Sequence, residues 1–369
     1  VHLSQGKAKV ARINVTQAII VSSVLLLIYA IGIVSNVERV AVWLGSSERL
    51  LPLAVEYMYW FVPFLVFSAL LCSGMFFVRL DGAPTCAMVG NIILARINVV
   101  LDYVFICILT WGMFGAALAT SLGYIVGAVM ILAYLFHPER ILHVCRVKLS
   151  KKSLYLTIRN VGYMCRLGFS SFLCETAIAT MMFVGNYVFI RYLGEDGVAA
   201  YSIACYFFPI VFMVYNAIAQ SAQPILSYNY GAKCTARVRE TFRLALTTAI
   251  LCGAGVFLLT WIFSHQIVGM FLDSSYPAYN IAVKGLPLFA SGFVFFGINI
   301  VSIGYFQSLE RDCPAMIITL LRGFALIFLC FWILPIIWGS WGIWLAVPMS
   351  ELLTFLFVLV IYWLENRRN

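Results

Sequence analysis

Runs of twenty or more predominantly apolar residues recur along the whole of this 369-residue chain, and that recurrence leaves few folds open. At about 1.5 Å per helical residue, each run is long enough to cross a hydrocarbon layer of about 30 Å. In lipid every backbone N–H and C=O needs a partner within the protein, and a helix supplies it inside a single segment. Ten spans are expected, near residues 13–35, 52–78, 86–110, 114–136, 167–193, 198–226, 240–263, 281–306, 314–337 and 341–364. The fold class this implies is an all-α polytopic membrane bundle. A soluble domain would instead show amphipathic stripes, and the 63% hydrophobic and 11% charged content leaves no room for them. The first run is too long for the core of a cleaved signal, and no small-residue cleavage site follows it.

The basic residues orient the bundle. With the N-terminus inside, the inner segments hold Lys7, Lys9, Arg12, Arg79, Arg140, Arg146, Lys148, Lys151, Lys152, Arg159, Arg166, Lys233, Arg237, Arg239, Arg243, Arg311, Arg367 and Arg368, and the outer loops only Arg39 and Arg49. Eighteen against two predicts both termini in the cytoplasm. The net charge of +9 is then an inside bias facing anionic headgroups, and no nucleic-acid footprint is expected. Eleven scattered cysteines with no CxxC pair predict neither a disulfide framework nor a zinc site. His2, His137, His143 and His265 all fall at or beyond span ends, so no haem or histidine metal centre is expected.

The chain also repeats itself at an offset near 228 residues. "TWGMFGAALAT" (110–120) matches "IWGSWGIWLAV" (337–347), "APTCAM" (83–88) matches "RDCPAM" (311–316), "LGSS" (44–47) matches "LDSS" (272–275), and "GKAKVAR" (6–12) matches "GAKCTARVR" (231–239). Four matches in one order at nearly one offset imply a duplicated scaffold with parallel repeats. The expected domains are an N-terminal lobe of four spans (1–137), a basic cytoplasmic linker (138–166) and a C-terminal lobe of six spans (167–369). The first lobe is expected to be incomplete, its two further spans lying upstream of Val1. Within the linker, "LYLTIRNVGYMC" (154–165) reads equally as an interfacial helix or a plain solvated connection.

Polar side chains in hydrocarbon are costly and usually face a bundle interior or a wet cavity. Asn98 and Asp102 in "INVVLDYVF" are four apart, one above the other on a helix face. A carboxylate with an amide one turn away suits a proton or a small hard cation such as Na+, and Thr120 on the next span is a third oxygen donor. Glu175, in "FSSFLCETAIAT", lies eight residues inside its span, with Asn186 three turns further along the same face. Arg96 and Arg322 sit at similar depth in repeat-related spans, and either is a candidate partner for Glu175; Glu56 and Glu351 are weaker sites, expected nearer span ends. Asn216, Gln220 and Gln223 form one polar stripe ahead of Pro224, which is expected to loosen the inner end of that helix as a movable cavity wall. Asn299 is a further candidate for the cavity lining.

Those residues resemble the multidrug and toxic compound extrusion (MATE) transporters. "AQSAQPILSYNYGAK" (219–233) is similar to that family's most recognisable signature, and "INVVLDYVF" with "GAALAT" is similar to its N-lobe segment. The resemblance covers essentially the whole chain. It implies a two-lobed bundle of twelve helices, ten of them present here, in a bacterial inner membrane. It also implies a monomeric antiporter that exports mostly cationic organic compounds against Na+ or H+, through a central cavity and with no other cofactor. Asn98, Asp102 and Thr120 match the family's N-lobe ion site and Glu175 an acid on its seventh helix. The acid that the family carries on its first helix has no counterpart here, nor does the tenth-helix acid of some subgroups.

Three other readings are weighed against this one. A flippase for lipid-linked saccharide would line its cavity with arginines, and only Arg96 and Arg322 are available. An intramembrane prenyl transferase would need paired aspartates, and no DxxD or DxxxD occurs. A non-transporting remnant is the third.

Overall fold

The computed structural model describes residues 2–44, 46, 48–145 and 151–366. Arg146, Lys148, Arg367 and Arg368 of the basic set, and two positions of the "LGSS" motif, lie outside the described residues. The chain divides into two compact units, His2–Met164 and Cys165–Asn369, and each is described by itself.

Among the described residues, eight helices are long and apolar enough to cross a membrane, or nine if one bent pair counts as a span. The ten predicted spans are not matched one for one. Residues 155–231, read as two spans, run as one helical stretch interrupted only at Gly194. Gly194 has φ 67° and ψ −158°, a region essentially closed to side-chain-bearing residues.

The first unit comprises α1 (Ala8–Val34), α2 (Val37–Trp43), α3 (Leu51–Phe61) leading through a tight turn at Val62–Phe64 into α4 (Leu65–Leu80), α5 (Pro84–Asp102) and α6 (Gly112–Phe136). Leu71, Met75, Val78, Ile131 and Leu135 form its core between α4 and α6. The two helices approach closely because Gly74 leaves room for Ile131 and Gly127 for Leu71, the small-residue packing that replaces hydrophobic drive in lipid. Beyond α4, Asp81 accepts from the Tyr134 hydroxyl at 2.9 Å and from the Leu142 N–H at 2.7 Å, clasping the loop that follows α6.

The segment with two readings, 154–165, is helical, being part of α7 (Lys151–Gly231). It is no bare connection. Thr157 accepts from Gln17 Nε2 at 2.8 Å, and Asn160 Nδ2 donates to Gln17 Oε1 at 3.2 Å and Asn14 Oδ1 at 3.3 Å. These amide contacts tie it to α1 and carry the contact boundary to Met164, past the predicted end of the lobe at residue 137.

The second unit holds the rest of α7, α8 (Thr235–Ile262), α9 (Ser264–Gly269), α10 (Pro277–Ala290), α11 (Phe293–Ser308), α12 (Asp312–Leu320), a π-turn at Leu321–Ala325, α13 (Leu326–Trp338) and α14 (Ser340–Asn366). Its core is aromatic. Phe189 stacks on Tyr201 at 4.3 Å, Phe208 on Phe296 at 4.7 Å, and Tyr215 donates to the Phe293 carbonyl at 2.8 Å. The predicted single span 281–306 is broken: α10 and α11 meet at 42°. Pro287 near the end of α10 and Gly292 ahead of α11 explain the break. In the loop before α10, Ser275 donates its backbone N–H to Asp273 Oδ1 at 2.9 Å, which holds that carboxyl below its usual range.

The predicted repeat has a backbone counterpart. Gly112 and Gly339, the glycines of the two Trp-Gly pairs, both have φ 57°. Each repeat-related span also contains a π-turn, Tyr103–Ile108 in one and Leu321–Ala325 in the other.

Candidate functional site

The first-unit candidates stand at the end of α5. Asn98 and Asp102 are one turn apart and both half-buried, and the π-turn follows directly on Asp102. Such turns interrupt the regular ladder and are frequent at functional sites. Asn98 Nδ2 donates to Thr120 Oγ1 at 3.4 Å, and that hydroxyl donates to the Ala116 carbonyl at 3.0 Å. The sequence therefore brings the amide and the hydroxyl of α5 and α6 together as expected. Asp102 makes no hydrogen bond or ion pair with a described residue, so its carboxylate is available. Among the described residues no three His, Cys, Asp or Glu side chains gather as a metal cluster. The Asn98, Asp102 and Thr120 donors are all oxygens, which suits a proton or a hard cation and not a transition metal.

In the second unit the ionisable groups sort differently from expectation. Glu175 and Asn186 both lie on an uncovered face of α7, with no hydrogen bond to a described residue; the Arg322 guanidinium is within electrostatic reach of Glu175. Arg322 is nevertheless committed elsewhere. Its Nε donates to Glu351 Oε1 at 2.8 Å, its Nη1 reaches Cys174 Sγ at 3.4 Å, and its guanidinium lies 4.4 Å over the Phe296 ring. Asn299 Nδ2 donates to Glu351 Oε2 at 2.8 Å and to the Glu351 carbonyl at 2.9 Å. Both carboxylate oxygens are thus engaged, and the network joins α7, α11, the π-turn and α14.

Two expectations are corrected here. Glu351 is no span-end residue: it is 3% exposed, in the middle of Ser340–Asn366, and Arg322 is 4% exposed. Asn299 is fully buried against Glu351 instead of lining a cavity, and its Oδ1 has no partner among the described residues. The cavity beside the pair has only about 10 Å³ of open volume, room for about one water. A space of that size admits no organic ligand. Arg96, the other candidate partner, is exposed, as is Glu56.

The polar stripe of α7 divides in its roles. Asn216 and Gln220 are half-buried. Gln223 donates to Gln307 Oε1 at 3.0 Å, and Gln307 Nε2 donates to Ser170 and Ser171 at 2.8 and 2.9 Å. Ser227 adds a bond to the Ser308 carbonyl at 3.1 Å. Gln223, half-buried, thus also ties α7 to α11. The helix also continues past Pro224 to Gly231, and the turn that follows is closed by the Cys234 N–H on the Asn229 carbonyl at 2.9 Å.

A family model described as MatE matches residues 2–104 and 171–332. The chain is 22% identical over 338 residues to the multidrug export protein MepA of Staphylococcus aureus, an alignment covering 89% of this chain and 71% of that protein. Among solved structures, it resembles a mutant of the Vibrio cholerae MATE transporter VcmN, with TM-score 0.89, 18% identity, and 100% and 82% of the two chains covered. It also resembles the outward-facing conformation of a multidrug resistance MATE transporter of the MOP superfamily, with TM-score 0.87, 20% identity, and 97% and 80% covered.

Proposed function

This chain belongs to the MatE family of multi-pass membrane transporters, and on that premise we propose that it exports organic, mostly cationic compounds by antiport against Na+ or H+. The observation that carries the proposal is the arrangement at the end of α5. A carboxylate with no partner among the described residues, Asp102, stands one turn from an amide that is bonded to a hydroxyl, inside a spanning segment. An unpaired acid at that position is costly unless ions or water reach it. Glu175, uncovered and close to a committed arginine, is the second coupling group of the proposal. Export by the S. aureus relative and the 89% coverage of this chain support the substrate class.

The lipid-linked saccharide reading loses support, because Arg322 is paired with Glu351 in the core, beside a cavity of only about 10 Å³. The test is ethidium efflux from bacteria that lack their own pumps and express this protein. Asp102→Asn and Glu175→Gln should each slow efflux severalfold at equal membrane abundance. Unchanged efflux in both removes the coupling assignment.

A further inference from the structure

A large groove opens in the second unit where α7 ends, α8 begins, and α11 and α14 end. Its volume is about 920 Å³. The floor is aromatic: Phe242 lies 4.2 Å from Tyr305 and 5.5 Å from Tyr362, and Tyr362 lies 5.1 Å from Phe306. The rim is cationic, formed by Lys233, Arg239 and Arg311, and no acidic side chain among the described residues lines the groove. Glu240 and Glu310 are neighbours in sequence but are not part of the lining.

The cations are held in place by the fold. Lys233 occupies a left-handed turn position, φ 59°, fixed by its own N–H on the Tyr230 carbonyl at 3.0 Å. Arg311 is anchored by its N–H on the Phe306 carbonyl at 2.9 Å. Arg239 and Arg311 line the same groove as the Tyr305 ring. Neither Lys233 nor Arg239 forms an ion pair with a described residue. Thr235, the first residue of α8, lies in the same lining.

We infer that this groove binds an anionic phospholipid, its phosphate held by Lys233 and Arg239 and its glycerol and upper acyl chain lying on the Phe242–Tyr305–Tyr362 floor. A free phosphate would meet the cations and leave the aromatic floor uncovered. A neutral lipid would leave Lys233 and Arg239 without a counter-charge. The groove stands at the ends of spanning helices, the depth at which headgroups lie, and on the side where the chain gathers its basic residues.

The experiment uses the whole protein, purified in a neutral detergent and exchanged into nanodiscs of equal parts phosphatidylglycerol and phosphatidylcholine. Lipids retained after re-extraction are counted by mass spectrometry. Lys233→Gln with Arg239→Gln is compared with Arg237→Gln and Arg243→Gln, which remove the same charge from exposed positions outside the groove. At about 1 kcal/mol per basic residue, the phosphatidylglycerol preference should fall on the order of thirtyfold in the first double variant. The control double variant should stay within a few-fold of the parent. Should the groove variant not purify, Arg239→Gln against Arg237→Gln decides the matter, with about fivefold expected. Equal losses in the groove and control variants, or no loss in either, overturn the inference. So does inorganic phosphate alone raising thermal stability as much as phosphatidylglycerol does, since that identifies a free-anion site.

Discussion

Replacing Glu351 by Gln tests whether the buried pair is the principal electrostatic constraint on the second unit. Gln keeps the shape and can still accept from Arg322, but the guanidinium loses its counter-charge while 4% exposed. Removing one partner of a buried pair costs about 3–5 kcal/mol. A domain of 150–250 residues shifts in Tm by about 2–4 °C per kcal/mol. For a unit spanning residues 165–369, the loss should therefore be on the order of 6–20 °C, read by thermal denaturation in detergent with size-exclusion detection. The converse change, Arg322→Gln, should cost less. An orphaned carboxylate can neutralise itself by taking a proton, whereas a guanidinium cannot. Replacing both by apolar residues of similar volume, Arg322→Met with Glu351→Leu, should recover most of the loss, because an ion pair in an apolar interior contributes little net stability. That double change also strands Asn299 Nδ2 from one of its two acceptors, so full recovery is not expected. If Glu351→Gln melts with the parent, or if the double variant is worse than both singles, the reasoning fails.

Three further outcomes follow from the geometry. Gly194→Ala places a side chain at φ 67° and ψ −158° and should cost about 1–3 kcal/mol, visible as lower thermal stability. Asp81→Ala removes the acceptor of both Tyr134 and Leu142; at about 1.5–3 kcal/mol for a hydrogen bond to a charged group it should loosen the loop after α6, measured as faster proteolysis there. Gln223→Leu should lower thermal stability by about 1–3 kcal/mol by leaving Gln307 Oε1 unpaired, with drug efflux per folded molecule little changed; a selective loss of efflux would show Gln223 acting at the cavity wall as well.

What the sequence made legible follows the range of its rules. Apolar run length locates the spans because it depends on one segment at a time. The four-residue spacing of Asn98 and Asp102 places them on one face for the same reason, and the short Trp-Gly turn between α5 and α6 brings Thr120 within reach. The two Trp-Gly pairs were visible as a repeat because a positive φ restricts the choice of residue in both copies. The Arg322–Glu351–Asn299 network was not visible. Its members stand on different helices, 29 and 52 residues apart for the two bonded pairs, and no periodicity within one helix encodes which faces will meet. The bend between α10 and α11 did leave signs, Pro287 and Gly292, inside a stretch otherwise apolar enough to pass as one span.

The Arg322–Glu351 contact also constrains how this lineage can drift. A single base change that removes either charge passes through a destabilised intermediate, so the two positions should be inherited as a unit or exchanged together. Asn299, whose amide fills the remaining carboxylate oxygen, makes that exchange a three-position event. Relatives that have crossed the barrier should carry apolar residues at all three places and none in only one.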